Sequence, residues 1–304
     1  MTSFGGPIKK YENRGSPERE KRSPNPKPIW AYRACLWHHS EIMTDSKDKS
    51  EKKSIPNNQP LTSVQKGALG TWSREGYEAF LKGVLDKADP AYREFHKKLV
   101  PGLEHFAGVR IPELRRAAAG VREGNFLEFC GYATYEETVL AGLVIAKRKG
   151  AALAEGLEEF WPRVDNWAVC DVVCSTAKDM GRQPDFFLPR VLAWAAPSNP
   201  TFTQRAGLVL LLDYFLKEPY LEAALAACDG RGKQEYYAEM AAAWLLSMAL
   251  VKFPKPTLAF FDRADLTPFV RAKAFQKARE SFRKEPLLRV LEEEGRSPQN
   301  GRRL

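Results

Sequence analysis

Apolar and polar positions divide the chain near residue 74. Beyond that point Leu, Ala and aromatic residues recur at helical spacing, and alternating strand-like runs are scarce. Tyr77, Phe80, Leu81, Val84 and Leu85 mark a first helix. Pro112 opens a second, with Leu114, Ala117, Ala118 and Val121 on one face, because proline suits the first helical turn. The same pattern predicts helices over 139–146, 153–160, 164–177, 187–195, 206–216, 240–253, 268–279 and 286–293.

Breakers separate these segments: Gly150, Pro162, residues 181–184, residues 197–200, Pro219, Gly230, Gly232 and Pro254. Short helices with short connections predict stacked helical hairpins. Their spacing is read as close to the 40-odd residues of HEAT or armadillo units. The expected fold is therefore all-α, a HEAT-like, armadillo-type repeat solenoid with a concave face; a plain helical bundle is the alternative.

Residues 1–60 carry no recurring apolar face and are rich in proline, serine, lysine and glutamate, which predicts a disordered basic tail. Only the island 29–37 breaks this pattern. Met43 is a candidate alternative start, so part of 1–42 is expected to be an over-extended reading frame, which N-terminal sequencing of the native protein would decide. The repeat domain is placed at 61–293 and a disordered C-terminal tail at 294–304. No apolar run is long enough for a membrane span and the N-terminus has no signal-peptide core, so a cytoplasmic monomer is expected.

The net charge is +9, with 12 Lys+Arg against 7 Asp+Glu in residues 1–60. The tail thus holds +5 and the remainder only +4, so charge alone permits nucleic-acid binding without demanding it. The cysteines at 35, 130, 170, 174 and 228 match no zinc spacing, and His38 and His39 lie in the tail. Small buried thiols are expected, with no metal and no cofactor.

The richest segment is Val164-Asp-Asn-Trp-Ala-Val-Cys-Asp171. Asp165 or Asn166 can cap a helix there, placing Trp167 and Asp171 on one face, four residues apart. An indole and a carboxylate one turn apart suit a cationic ligand, through the ring face and a full counter-charge. The alternative is that Trp167 is core and Asp171 pairs with a neighbouring Arg or Lys. Arg205 stands conspicuously before an apolar helix, where it can fork onto a phosphate or a carboxylate, or serve as a structural ion pair. Trp244 follows three alanines and reads either as core or as a ring with open space beside it. Three basic clusters complete the picture: Arg110, Arg115, Arg116 and Arg122; Lys147, Arg148 and Lys149; Arg271, Lys273, Lys277, Arg279 and Arg283. Converging on one face they would form a phosphate-binding groove; singly each is an ordinary solvated helix face.

Five features occur in a set order: Gly108-Val-Arg-Ile-Pro-Glu-Leu-Arg115, Asp165-Asn-Trp-Ala-Val-Cys-Asp171, Gln204-Arg205, the run 241–252, and Gln276-Lys-Ala-Arg-Glu-Ser-Phe282. Together they resemble the AlkD-like DNA alkylation repair family over roughly residues 75–285. The resemblance implies HEAT-like repeats gripping double-stranded, alkylated DNA, and a monofunctional glycosylase that releases N3- and N7-alkylated purines in base excision repair. It implies catalytic roles for Trp167, Asp171 and Trp244, and DNA contact by Arg205, with Arg110, Arg148 and Lys277 expected to help. It also implies excision without flipping the base into a deep pocket. Asn166 stands where active members carry an aromatic residue, and Ser247 where they carry an arginine. The competing expectations are a non-catalytic binder of bent, branched or damaged DNA, and a helical scaffold for a protein partner.

Overall fold

A computed structural model describes residues 71–303, so the expectations for residues 1–60 lie outside the described residues. Among the described residues fourteen α-helices follow one another, and there is no β-strand. They are α1 (Arg74–Leu85), α2 (Pro90–Leu99), α3 (Ile111–Gly120), α4 (Phe126–Phe129), α5 (Tyr135–Ile145), α6 (Gly150–Phe160) and α7 (Trp167–Cys174). The second half holds α8 (Pro184–Ala195), α9 (Thr201–Leu210), α10 (Leu221–Ala226), α11 (Tyr236–Lys252), α12 (Pro254–Arg263), α13 (Pro268–Arg279) and α14 (Glu285–Glu293). No described helix is long and apolar enough to cross a membrane.

Every predicted helix has a counterpart, and four went unpredicted: α2, α4, α10 and α12. In α2 only His96 is buried, so its sequence lacks an apolar stripe. For α12 the misreading was of Pro254, taken as a breaker; it occupies the first helical turn, where its missing N–H costs nothing. The predicted 206–216 helix begins earlier, at Thr201, and its last part, Leu211–Phe215, is a π-helical turn.

Packing follows a simple order. Helices α3, α5, α7, α9, α11 and α13 form one row, each against the next, and α1 packs on α3. A second row packs on the first, with α6 on α5, α8 on α9, and both α12 and α14 on α11. Gly207 allows a close approach of α9 to α8, because a Cβ there would collide with the Ala195 backbone of α8. The first-row helices α5, α7, α9, α11 and α13 begin at 135, 167, 201, 236 and 268. The step is therefore about 33 residues, shorter than the 40-odd read from the sequence.

Side-chain contacts show that neighbours in the first row run parallel. Cys170 and Cys174 of α7 donate to the carbonyls of Phe202 and Ala206 of α9, each at 3.7 Å. The rings of Phe202 and Tyr237 lie 5.5 Å apart, and those of Tyr236 and Phe269 6.0 Å apart, linking the starts of α9, α11 and α13. The four described cysteines are buried and unpaired.

Two consecutive buried carboxylates anchor the loops that precede α5. Glu136 accepts from the backbone amides of Ala107, Gly108 and Val109 at 2.9–3.1 Å. Glu137 accepts from the Tyr77 hydroxyl at 2.7 Å and from the Ala133 amide at 3.0 Å. Fixing these loops sets the start of α5 beside α7, where the candidate site lies.

Residues 294–303, the described part of the stretch expected to be a disordered tail, make specific contacts with the helices before them. The Arg296 guanidinium, 4% exposed, forks onto Asp262 at 2.7 Å through both Nη atoms and donates to the Gly301 carbonyl at 2.9 Å. Gly301, with φ of 65°, lies so close to the Phe275 ring that any side chain would collide. Arg279 Nη1 adds a bond to the Pro298 carbonyl at 2.8 Å, so polar anchors hold a segment too short in apolar residues to pack by itself.

Candidate functional site

Asn166 caps α7, its Oδ1 accepting from the amides of Ala168 at 3.1 Å and Val169 at 3.0 Å. Its Nδ2 donates to Asp165 Oδ1 at 2.7 Å, so of the two candidate caps Asp165 plays the supporting part. The helix then carries Trp167 and Asp171 four residues apart, as the spacing predicts. Trp167 is half-buried against the core, and its Nε1 donates to the Leu99 carbonyl at 3.3 Å.

Asp171 is only 4% exposed and Arg205 7%. Arg205 Nε and Nη2 donate to Asp171 Oδ1 and Oδ2 at 3.0 and 2.8 Å, a bidentate pair between α7 and α9. The remaining Nη1 donates to the Tyr237 carbonyl at 3.1 Å, so three consecutive first-row helices meet at one guanidinium. Burial disfavours the Arg205 charge, and the Asp171 carboxylate more than offsets it, raising the arginine pKa. The sequence left open, for each residue separately, a ligand contact or a structural ion pair; in this structure the two residues pair with each other.

Trp244 lies on α11, two turns beyond Tyr237 and so roughly 10 Å further along that helix. It is half-buried against the core, and its carbonyl accepts from Ser247 Oγ at 2.7 Å. Ser247 itself is 2% exposed, a small hydroxyl in a buried position.

The basic residues distribute differently. Arg110 is exposed at the start of α3; its Nη2 donates to Asp89 at 2.7 Å and its guanidinium lies over the Tyr92 ring at 4.8 Å. Arg148 follows the C-terminal end of α5 and donates to Glu123 through Nε, at 2.7 Å, and Nη2. Lys277 is buried within α13. Lys147 Nζ donates to the carbonyls of Ala118 at 2.6 Å and Val121 at 3.0 Å, and Arg115 Nη1 donates to Thr176 Oγ1 at 2.6 Å. Arg110, Arg148, Lys147 and Arg115 thus each hold a neighbouring element, and no two of these four share a partner.

Sequence reasoning missed a feature of the first row. Each of its helices from α5 onward carries an aromatic residue in its first two positions: Tyr135, Trp167, Phe202, Tyr236 with Tyr237, and Phe269. Tyr236 is 57% exposed, and Trp167, Phe202, Tyr237 and Phe269 are intermediate. The signal was present as one aromatic every 32 to 35 residues, but only the observed helix starts reveal it. Among the described residues no three His, Cys, Asp or Glu side chains group so as to hold a metal ion.

With the Asp171–Arg205 pair, the indole beside it and the helical rows in place, comparison with known proteins becomes informative. No curated protein matches the chain. The family model described as DNA alkylation repair enzyme matches residues 81–277, from within α1 to α13, and so covers every residue of this site. The chain belongs to the DNA alkylation repair enzyme family.

Proposed function

We propose that this protein is a monofunctional DNA glycosylase that hydrolyses the N-glycosidic bond of N3- and N7-alkylated purines in duplex DNA. The observation that carries the reading is the buried Asp171 carboxylate, one turn from a half-buried indole, in a chain of this family. The two helical rows, stepping by about 33 residues, support a HEAT-like solenoid whose concave side would receive the duplex. Half-exposed aromatic residues at successive helix starts suit contact with sugars and bases.

An alkylated purine is already cationic and leaves without a strong general acid. The barrier lies in the oxocarbenium-like sugar that forms as the bond breaks, and the Asp171 carboxylate would stabilise that charge and orient the attacking water. Trp167 and Trp244 would hold the sugar and the cationic base through their ring faces. Arg205 would contact a phosphate of the same strand. Because it neutralises Asp171 in the free protein, moving it onto a phosphate would strengthen the carboxylate's field at the moment of engagement. Arg110 and Arg148 would reach phosphate only by exchanging Asp89 and Glu123 for it, which limits what they add.

That same bidentate pair favours a second reading, a DNA-binding protein without excision activity, in which Asp171 serves to position Arg205. Incubating methylated duplex DNA with wild type and Asp171→Asn separates the two. The glycosylase reading requires wild type to release 7-methylguanine or 3-methyladenine, with release by the variant at least 100-fold slower; no release by wild type eliminates it. Binding that weakens steeply as salt rises is required by both DNA readings.

A further inference from the structure

Tyr135 opens α5, its amide donating to the His105 carbonyl at 2.8 Å, and only 4% of the residue is exposed. Its ring meets those of Phe106 at 5.0 Å and His96 at 5.4 Å, both edge-on. The hydroxyl at the end of that ring is buried and has no hydrogen-bond partner. A buried hydroxyl in that state costs stability, and phenylalanine would fill the same space without the cost. Packing therefore accounts for the ring and leaves the hydroxyl unexplained.

The surroundings of this hydroxyl lead to Asp171. Helix α5 packs directly on α7, and α2 touches both: His96 lies against Tyr135, while the Leu99 carbonyl accepts from Trp167 Nε1 at 3.3 Å. Tyr135 also lines an open cavity of about 200 Å³ with Glu104 and with Asp165 and Asn166, the two residues that precede Trp167. Burial, then the fields of Tyr92, Glu136 and Asp171, push the phenol pKa well above its ordinary value. The hydroxyl therefore keeps its proton and can serve as a donor.

On the proposed function, engaging DNA moves Arg205 from Asp171 to a phosphate. Asp171, 4% exposed, then gives up two charge-assisted N–H bonds in a place that water scarcely reaches. A buried carboxylate that loses such donors is strongly destabilised. The engaged state calls for a new donor, and a protonated, unused hydroxyl on the adjoining helix is suited to supply it.

We propose that Tyr135 is a positioning residue for Asp171: as Arg205 leaves for the phosphate, the Tyr135 hydroxyl donates to the Asp171 carboxylate in its place. The inference rests on the Arg205–phosphate contact of the proposed function and is independent of excision. The exchange replaces a full counter-charge by a neutral donor, and no proton is transferred. Asp171 stays ionised and oriented, while the field that Arg205 had cancelled is released toward the DNA.

The test compares wild type, Tyr135→Phe, Asp171→Asn and the double variant in thermal unfolding and in binding to methylated duplex DNA by fluorescence anisotropy. In the free protein the hydroxyl bonds nothing, so Tyr135→Phe should keep its Tm within about 3 °C of wild type. Its duplex affinity should fall about tenfold, the loss of one hydrogen bond to a charged group in the engaged state. In the Asp171→Asn background the same substitution should change affinity by less than about twofold. Equal affinity of Tyr135→Phe and wild type overturns the proposal, as does an equal loss in both backgrounds, which marks a direct contact of Tyr135 with DNA. A larger fall in Tm overturns it too, because the hydroxyl then has a partner in the free protein, such as a buried water. Base release is measured on the same samples. Release by wild type with undiminished affinity in Tyr135→Phe overturns the exchange alone, and the expected affinity pattern without release overturns the glycosylase reading alone.

Discussion

The two ends of the first-row helices differ in how they use charge. At the C-terminal ends cations sit on carbonyls: Lys147 on those of Ala118 and Val121 at the end of α3, and Lys252 on that of Leu216 beyond α9. Orphan carbonyls and the negative end of the helix dipole explain these placements with no ligand in view. At the N-terminal ends the dipole calls for carboxylates, and Glu136, Glu137 and Asp165 supply them. What the dipole does not explain there is the row of half-exposed aromatic rings, and Arg205 in the first half of α9. A buried cation at that place stands against the dipole and depends on Asp171. The difference teaches that a basic cluster in sequence is weak support for a nucleic-acid site when helix ends consume its members, whereas a charge in the wrong half of a helix calls for a further explanation.

The largest expected effect breaks this comparison at Arg205. Arg205→Ala leaves Asp171 buried without its counter-charge and should cost about 3–5 kcal/mol in urea unfolding. An Asp171→Asn/Arg205→Met double variant, which removes both charges, should recover more than half of that loss. If Arg205→Ala costs under about 1 kcal/mol, the pair is no anchor and the contrast between the two ends fails.

An intermediate effect is expected at His96, which packs with Tyr92, Phe106 and Tyr135 beside the start of α5. Burial pushes its imidazole down to about 4, while in the unfolded chain it stays near 6.5. Between those values the unfolded state binds more protons, so stability is full above about pH 6.5 and falls as pH drops toward 4. The loss should be on the order of 2 kcal/mol, seen as a fall in Tm that His96→Gln flattens. A Tm unchanged between pH 7 and 4.5 in wild type would show that His96 is protonated in the fold.

Smallest is Lys147→Ala at the C-terminal end of the row. Loss of two carbonyl contacts near the surface should cost about 1 kcal/mol and leave DNA binding unchanged. A fall in DNA affinity greater than threefold, with stability unaltered, would return this lysine to the phosphate-binding set and blur the distinction between the ends.

Much of the fold was legible because helix formation follows local periodicity. The predicted segments from Tyr77 to Glu293 recur as helices, and the Trp167–Asp171 spacing holds on α7. Boundaries failed where one residue has two meanings. Pro254 ends one helix pattern and starts the next helix, and α2 hides its single buried position among charged residues. The contacts of residues 294–303 were not legible because the Arg296–Asp262 pair joins positions 34 apart.

By itself the sequence determined the helical class, the rhythm of breakers, the indole and carboxylate on one helix face and, through ordered motifs, the family. These are properties of neighbours within a few turns, where the 3.6-residue period governs what lies beside what. Tertiary structure alone decided that Asp171 meets Arg205, that Lys147 and Arg148 are engaged at helix ends, and that Glu104 and Asp165 share a cavity. The reason is register: which residues of parallel helices face each other depends on how their side chains interlock across the interface, and no single helix carries that information.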